Sequence, residues 1–143
     1  MKRLILVLLS LMILGCVQKK QQTSPETQQA IPDGHTSQNS LDWNGTYSGV
    51  LPCASCEGIE TSLTLNEDDS YSLRMTYIGE DEPNRYDAEG SFSWNEAGNT
   101  ITLENEEAPN QYFVGENYIA KLDSNGHRVT GDLANRYILQ KDQ

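Results

Sequence analysis

An all-β fold, closing as a small antiparallel up-and-down β-barrel of about eight strands, is what this sequence predicts. Three observations carry it. Apolar residues recur at every second position along most of the chain after about residue 41, turn-forming residues punctuate these runs at short intervals, and nothing beyond the N-terminal leader keeps helical spacing.

Taken in order, Ile59, Thr61, Leu63 and Leu65 share one face against Glu60, Ser62, Thr64 and Asn66. Tyr71, Leu73, Met75 and Tyr77 repeat the pattern, as do Tyr86, Ala88, Gly90, Phe92 and Trp94. Ile101 with Leu103, Tyr112 with Val114, Tyr118 with Ala120 and Leu122, and Tyr137 with Leu139 complete the series. Between them lie Asp68-Asp69-Ser70, the Gly79 to Asn84 stretch with Pro83, Ala97-Gly98-Asn99, Gly115-Glu116-Asn117 and Asn125-Gly126. The last is a strong two-residue hairpin signal. Short consecutive hairpins with one apolar face favour a closed barrel over an open sheet, because closure removes exposed strand edges. Inward tyrosines and small residues (Gly49, Ala88, Gly90, Ala120) suggest some internal room, although side chains fill most barrels of this size.

The first residues do not belong to that fold. Lys2 and Arg3 precede an apolar run from Leu4 to Leu14, about 11 residues against the roughly 20 needed to span a bilayer. Ile13-Leu14-Gly15-Cys16 resembles a bacterial lipobox, so residues 1–15 are expected to be a lipoprotein signal peptide and Cys16 the lipidated new N-terminus. Several acyl chains on Cys16 would give stable anchoring to a membrane. Val17 stands where an aspartate would signal inner-membrane retention, so the expected location is the periplasmic face of the outer membrane, with the surface of a one-membrane bacterium as the alternative. Residues 16–40, rich in Gln, Ser, Thr and Pro, read as a flexible tether with a root-mean-square reach of about 25 to 30 Å. Residues 41–143 remain for one small core.

Losing Lys2 and Arg3 with the leader takes the formal charge from −11 to −13. A chain this acidic lacks the clustered Lys and Arg that nucleic-acid binding needs. Its carboxylates are scattered over turns (Glu67-Asp68-Asp69, Glu80-Asp81-Glu82, Glu104 to Glu107), which suits a solvated surface, and none fits a calcium-loop template.

Cys53 and Cys56 are the chemically distinctive pair among three cysteines. A thioredoxin-type pair would open a helix, whereas Glu57 to Asn66 alternates like a strand, and Glu57 and Glu60 would raise nearby thiol pKa values. As a metal site, two thiolates suit Cu(I), with Glu57 and a histidine or Met75 as weak auxiliary ligands. Zinc would need two more donors, and only His35 and His127 stand by besides carboxylates. In an oxidising compartment the pair can instead close a small disulfide ring of modest stabilising effect. Disulfide and copper both stay open on spacing alone, the compartment favouring the former.

The order Trp43-x-Gly45-x-Tyr47-x-Gly49-Val50-Leu51-Pro52-Cys53-Ala54-x-Cys56-Glu57-Gly58-Ile59-x-Thr61-x-Leu63-x-Leu65 resembles the N-terminal domain of the NlpE family of envelope lipoproteins. The similarity continues through Gly90-x-Phe92-x-Trp94, Leu122-Asp123 and Tyr137-x-Leu139. It implies a lipocalin-like barrel, an outer-membrane lipoprotein, and roles in copper tolerance and the Cpx envelope-stress response, with Cys16, Cys53 and Cys56 as the positions carried over. Longer family members have a second, OB-like domain with its own cysteine pair, whereas this chain ends at Gln143, so roles tied to that domain are not expected here.

With two histidines, no G-x-S-x-G and no matched carboxylate pair, no hydrolase mechanism can be assembled. The expectation is a non-enzymatic, membrane-tethered sensor whose Cys53/Cys56 loop answers to copper or thiol oxidation and signals through an envelope-stress protein. A carrier of a small apolar ligand in the barrel mouth is the alternative, and a thiol oxidoreductase ranks last.

Overall fold

The structure, a computed structural model, describes residues 34–143. The leader, Cys16 and the tether up to residue 33 lie outside the described residues. Eight strands follow one another: β1 (Gly45–Leu51), β2 (Gly58–Leu65), β3 (Ser70–Ile78), β4 (Arg85–Trp94), β5 (Thr100–Leu103), β6 (Gln111–Gly115), β7 (Tyr118–Lys121) and β8 (Ile138–Lys141). Each pairs antiparallel with the next, and β8 returns to β1 to close the barrel.

The period-two alternation sets the register. Tyr47 lies opposite Leu63, Leu63 opposite Leu73, and Leu73 opposite Ala88, so one inward row crosses four strands. A one-residue slip would turn that whole row to solvent. Tyr47, Leu63, Ile101, Ile119 and Leu139 are fully buried in the core it forms, and burial of each such side chain is worth about 1.5–3 kcal/mol. Among the described residues all strands and core residues fall between Trp43 and Lys141, so residues 34–143 hold a complete core of their own within the compact unit Pro32–Gln143.

The seam between β1 and β8 is short, with Tyr47 opposite Lys141 and Ser48 opposite Gln140. Asp142 extends it, its N–H donating to the Thr46 carbonyl at 2.8 Å. Gly49 is what lets the strands meet, since a Cβ there would stand 3.1 Å from both the Ile138 carbonyl oxygen and Leu139 Cδ2.

An up-and-down barrel places alternate connections at opposite ends. The near end, where the chain enters β1, is closed by aromatic rings: Trp43 meets Phe92 and Trp94 edge-on at 5.8 and 5.4 Å between centroids. A one-turn helix, α1 (Ser37–Ser40), lies against this end. The Ser37 hydroxyl donates to the Val114 carbonyl at 2.7 Å, the Gln38 N–H to Gly98 at 3.0 Å, and Trp43 Nε1–H to Gln38 at 2.9 Å. The flexible tether expected to run to Ser40 therefore does not extend that far. Its last residues dock through backbone and hydroxyl hydrogen bonds, which leave no trace in hydrophobic periodicity.

Two further expectations need correction. Tyr118 and Ala120 do not face inward: β7 pairs Val114 with Ile119 and Tyr112 with Lys121, so Ile119 and Lys121 point into the barrel. Tyr118 instead joins Phe113 on the outer face, where the Arg128 guanidinium lies 4.7 Å from the Phe113 ring centroid. Apolar residues on both faces of β7 made its phase ambiguous. Asn125-Gly126 does form a turn, the Gly126 N–H donating to Asp123 at 3.0 Å, but it supports only the single bridge between Leu122 and Arg128. The chain then runs through a 3₁₀ turn (Ala134–Tyr137) before β8 begins.

Candidate functional site at the far end of the barrel

β1 ends at Leu51 and β2 starts at Gly58, so the intervening Cys53 loop projects from the far end, opposite α1. Both ends of the loop are held. Leu51 pairs with Ile59 across the hairpin, and the Glu57 N–H donates to the Ile78 carbonyl of β3 at 3.1 Å. Gly58 is required by close approach, because a Cβ there would lie 2.7 Å from Val50 Cγ1.

Within the loop Cys53 and Cys56 are joined by a disulfide, S–S 2.05 Å, with Cα atoms 5.3 Å apart. The Cys56 N–H points at Cys53 Sγ from 3.1 Å, and Cys56 Sγ sits 3.3 Å from the Gly58 carbonyl oxygen. Ala54 and Ser55 at the tip are exposed while both cysteines are half-buried. The tip of the ring thus faces solvent while its base stays fixed to the sheet.

The other donors considered from sequence are placed apart. Glu57 folds over Gly79 in the β3–β4 turn, its Oε1 3.2 Å from where a Gly79 Cβ would be, and Gly79 has φ +84°. Met75 faces the barrel interior from β3 and packs against the core. His127 lies exposed in the turn after β7, its N–H donating to Asp123 Oδ1 at 2.9 Å, and His35 is exposed beside Ser40. Among the described residues no group of three or more His, Cys, Asp or Glu side chains gathers around a common point. The donor set at the loop is therefore two sulfurs. As thiolates they fit a soft, low-coordinate ion such as Cu(I) and not a four-ligand zinc; as a disulfide they have no thiolate to give.

Beside this loop the far end opens into a cavity of about 190 Å³ between Ile59, Leu73 and Met75 on one wall and Tyr112 and Lys121 on the other. Burial perturbs two of the groups that line it, Lys121 and Tyr112. Desolvation pushes the Lys121 ammonium down, partly offset by Glu106. The Tyr112 phenol is pushed well above its usual range by burial, with Glu106 adding to it. Tyr71 is raised to about 12, chiefly by burial and then by Glu106, to which its hydroxyl donates at 3.3 Å. Lys121 went unnoticed in the sequence reading. Its signal was a charge two residues after buried Ile119 in a strand with apolar residues on both faces.

Residues 47–132 match the family model described as the NlpE N-terminal domain. The chain belongs to the NlpE family. It is 31% identical to Lipoprotein NlpE of Escherichia coli K12 over 100 residues, covering 68% of this chain and 41% of that protein. The chain thus spans less than half the length of that relative. A candidate lipoprotein from Shewanella oneidensis, solved by crystallography, shares 51% identity with a TM-score of 0.68, over 75% of this chain and 95% of that one. The crystal structure of the Cpx pathway activator NlpE from Escherichia coli matches with 28% identity and a TM-score of 0.50, over 62% of this chain and 46% of that one. The cysteine loop, most of β1 and all of β2 to β7 fall inside the span of the family model, and β8 lies beyond it.

Proposed function

We propose that this NlpE-family chain is a non-enzymatic lipoprotein of the outer membrane, anchored on the periplasmic side through acylated Cys16, that senses the redox or copper state of the envelope. The observation that carries the reading is the Cys53–Cys56 ring, exposed at its tip and tied at its base to β1, β2 and β3. Two-electron reduction by an envelope dithiol would give two thiols and free the tip of the loop. The reduced pair would hold Cu(I) through Cys53 and Cys56, the metal then replacing the covalent link with a two-sulfur clamp. Either change alters the surface of the far end, where an envelope-stress signalling protein would read it. Similarity to the Cpx pathway activator NlpE of Escherichia coli supports that choice of partner class.

The test uses the full-length lipoprotein in a Gram-negative host carrying an envelope-stress transcriptional reporter. Overproduction of the native chain is expected to raise the reporter, and copper challenge to change that response. A Cys53→Ser/Cys56→Ser variant, made and localised to the same level, should lose the dependence on copper and reductant. An unchanged response in that variant would remove the cysteine loop from the function.

A further inference from the structure

Two lysines project into this barrel, and they are treated differently. Lys141, at the near end, has its ammonium 3.1 Å from Asp42 Oδ2 and donates to the Asp42 carbonyl at 2.6 Å. Lys121, on β7, has no carboxylate within ion-pair distance among the described residues, and its one hydrogen bond is to the Tyr112 hydroxyl at 3.2 Å. Its Nζ also sits 5.1 Å from the Tyr112 ring centroid. A half-buried ammonium whose one direct partner is neutral, with the Glu106 carboxylate acting on it from across the cavity, keeps donors free for an anion.

Tyr112 makes the same point. Its side chain is 1% exposed, its oxygen accepts from Lys121, and no acceptor among the described residues takes its own proton. Glu106 also lines the cavity, but its oxygens already accept from the hydroxyls of Tyr71 at 3.3 Å and Tyr86 at 3.1 Å. Unused donors of Lys121 and Tyr112 thus converge on one wall, while Ile59, Leu73 and Met75 form the apolar wall opposite.

We propose that the far end of the barrel binds a small carboxylate-headed acyl chain, its headgroup held by Lys121 Nζ and the Tyr112 hydroxyl and its chain laid along Ile59, Leu73, Met75 and Tyr77. The inference is independent of the cysteine-loop reading. The cavity, about 190 Å³, opens toward solvent. A larger hollow of about 540 Å³ shares Met75, Tyr77, Glu106 and Glu107 with it, giving a longer chain room toward solvent.

Calorimetric titration of the 34–143 fragment with octanoate, octan-1-ol and acetate tests the proposal. Octanoate is expected to saturate at one per chain and to bind at least tenfold more tightly than acetate. Lys121→Met should weaken octanoate at least tenfold and leave octanol unchanged, and Tyr112→Phe should weaken octanoate about threefold. Lys121→Met is also expected to melt no lower than the native chain in the absence of ligand, because it removes a half-buried cation that makes no direct ion pair among the described residues. A lower melting temperature with unchanged octanoate affinity would make Lys121 purely structural and overturn the proposal. Absence of saturable octanoate binding would do the same, and acetate binding as tightly as octanoate would overturn the acyl part.

Discussion

Cys53 and Cys56 are three positions apart, and that spacing limits what their bond does for stability. Closing so short a ring removes little freedom from the unfolded chain, so Cys53→Ser/Cys56→Ser is expected to cost no more than about 2 kcal/mol. Urea unfolding of the native and doubly substituted 34–143 fragments checks this, and a larger loss would make the bond a staple of the fold. Gly49 behaves oppositely. A side chain there presses on the Ile138 carbonyl and Leu139 across the only seam that joins the last strand to the first, so Gly49→Val is expected to destabilise by about 1–3 kcal/mol through overpacking. The same urea titration reports it as a lowered midpoint.

Among the elements, α1 and the near-end aromatic cluster act together. Trp43 contacts Phe92 and Trp94, accepts the Tyr47 hydroxyl's hydrogen bond on its carbonyl at 2.6 Å, and donates from its indole to Gln38. Trp43→Ala is expected to lower stability by about 2–4 kcal/mol and to release residues 36–40, seen as fast amide exchange at Gln38. The strands were legible from sequence where one face is apolar and the other polar, as in β2 with Leu63 and Leu65 buried between exposed Glu60 and Asn66. They were not legible where both faces pack. On β7 the outer Tyr118 looked like a core residue because Phe113 and Arg128 cover it, and inward Lys121 looked like a surface residue because it is charged. The docking of α1 escaped for a related reason, since Ser37 and Gln38 hold to the barrel with polar atoms alone. At the candidate site the sequence singled out the cysteine loop by its rarity, whereas the Lys121–Tyr112 pair exists only once the register of β6 against β7 is known.

For the whole molecule, the tyrosines that fill the barrel make it sensitive to alkali. Tyr47 is raised to about 12 by burial and then by the charge of Asp42, and Tyr71 to about 12 by burial and then by Glu106. In the unfolded chain a tyrosine releases its proton near pH 10. Between about pH 10 and 12 the folded state therefore retains protons that the unfolded state gives up, and stability falls as pH rises through that window. Below about pH 10 the contribution is fully present. Urea midpoints are expected to be level from about pH 8 to 9.5 and to drop steeply above 10, with a shallower drop in Tyr47→Phe.

The reading of the far end as a redox-responsive surface depends first on Cys53 and Cys56 being joined in the envelope. Intact mass after alkylation of the exported protein, trapped with and without prior reduction, tests this most directly. Resistance of both cysteines to alkylation until reductant is added, followed by modification of both, is the expected result. Modification of both without reductant would contradict it, leaving the loop a dithiol whose signal is metal binding rather than oxidation.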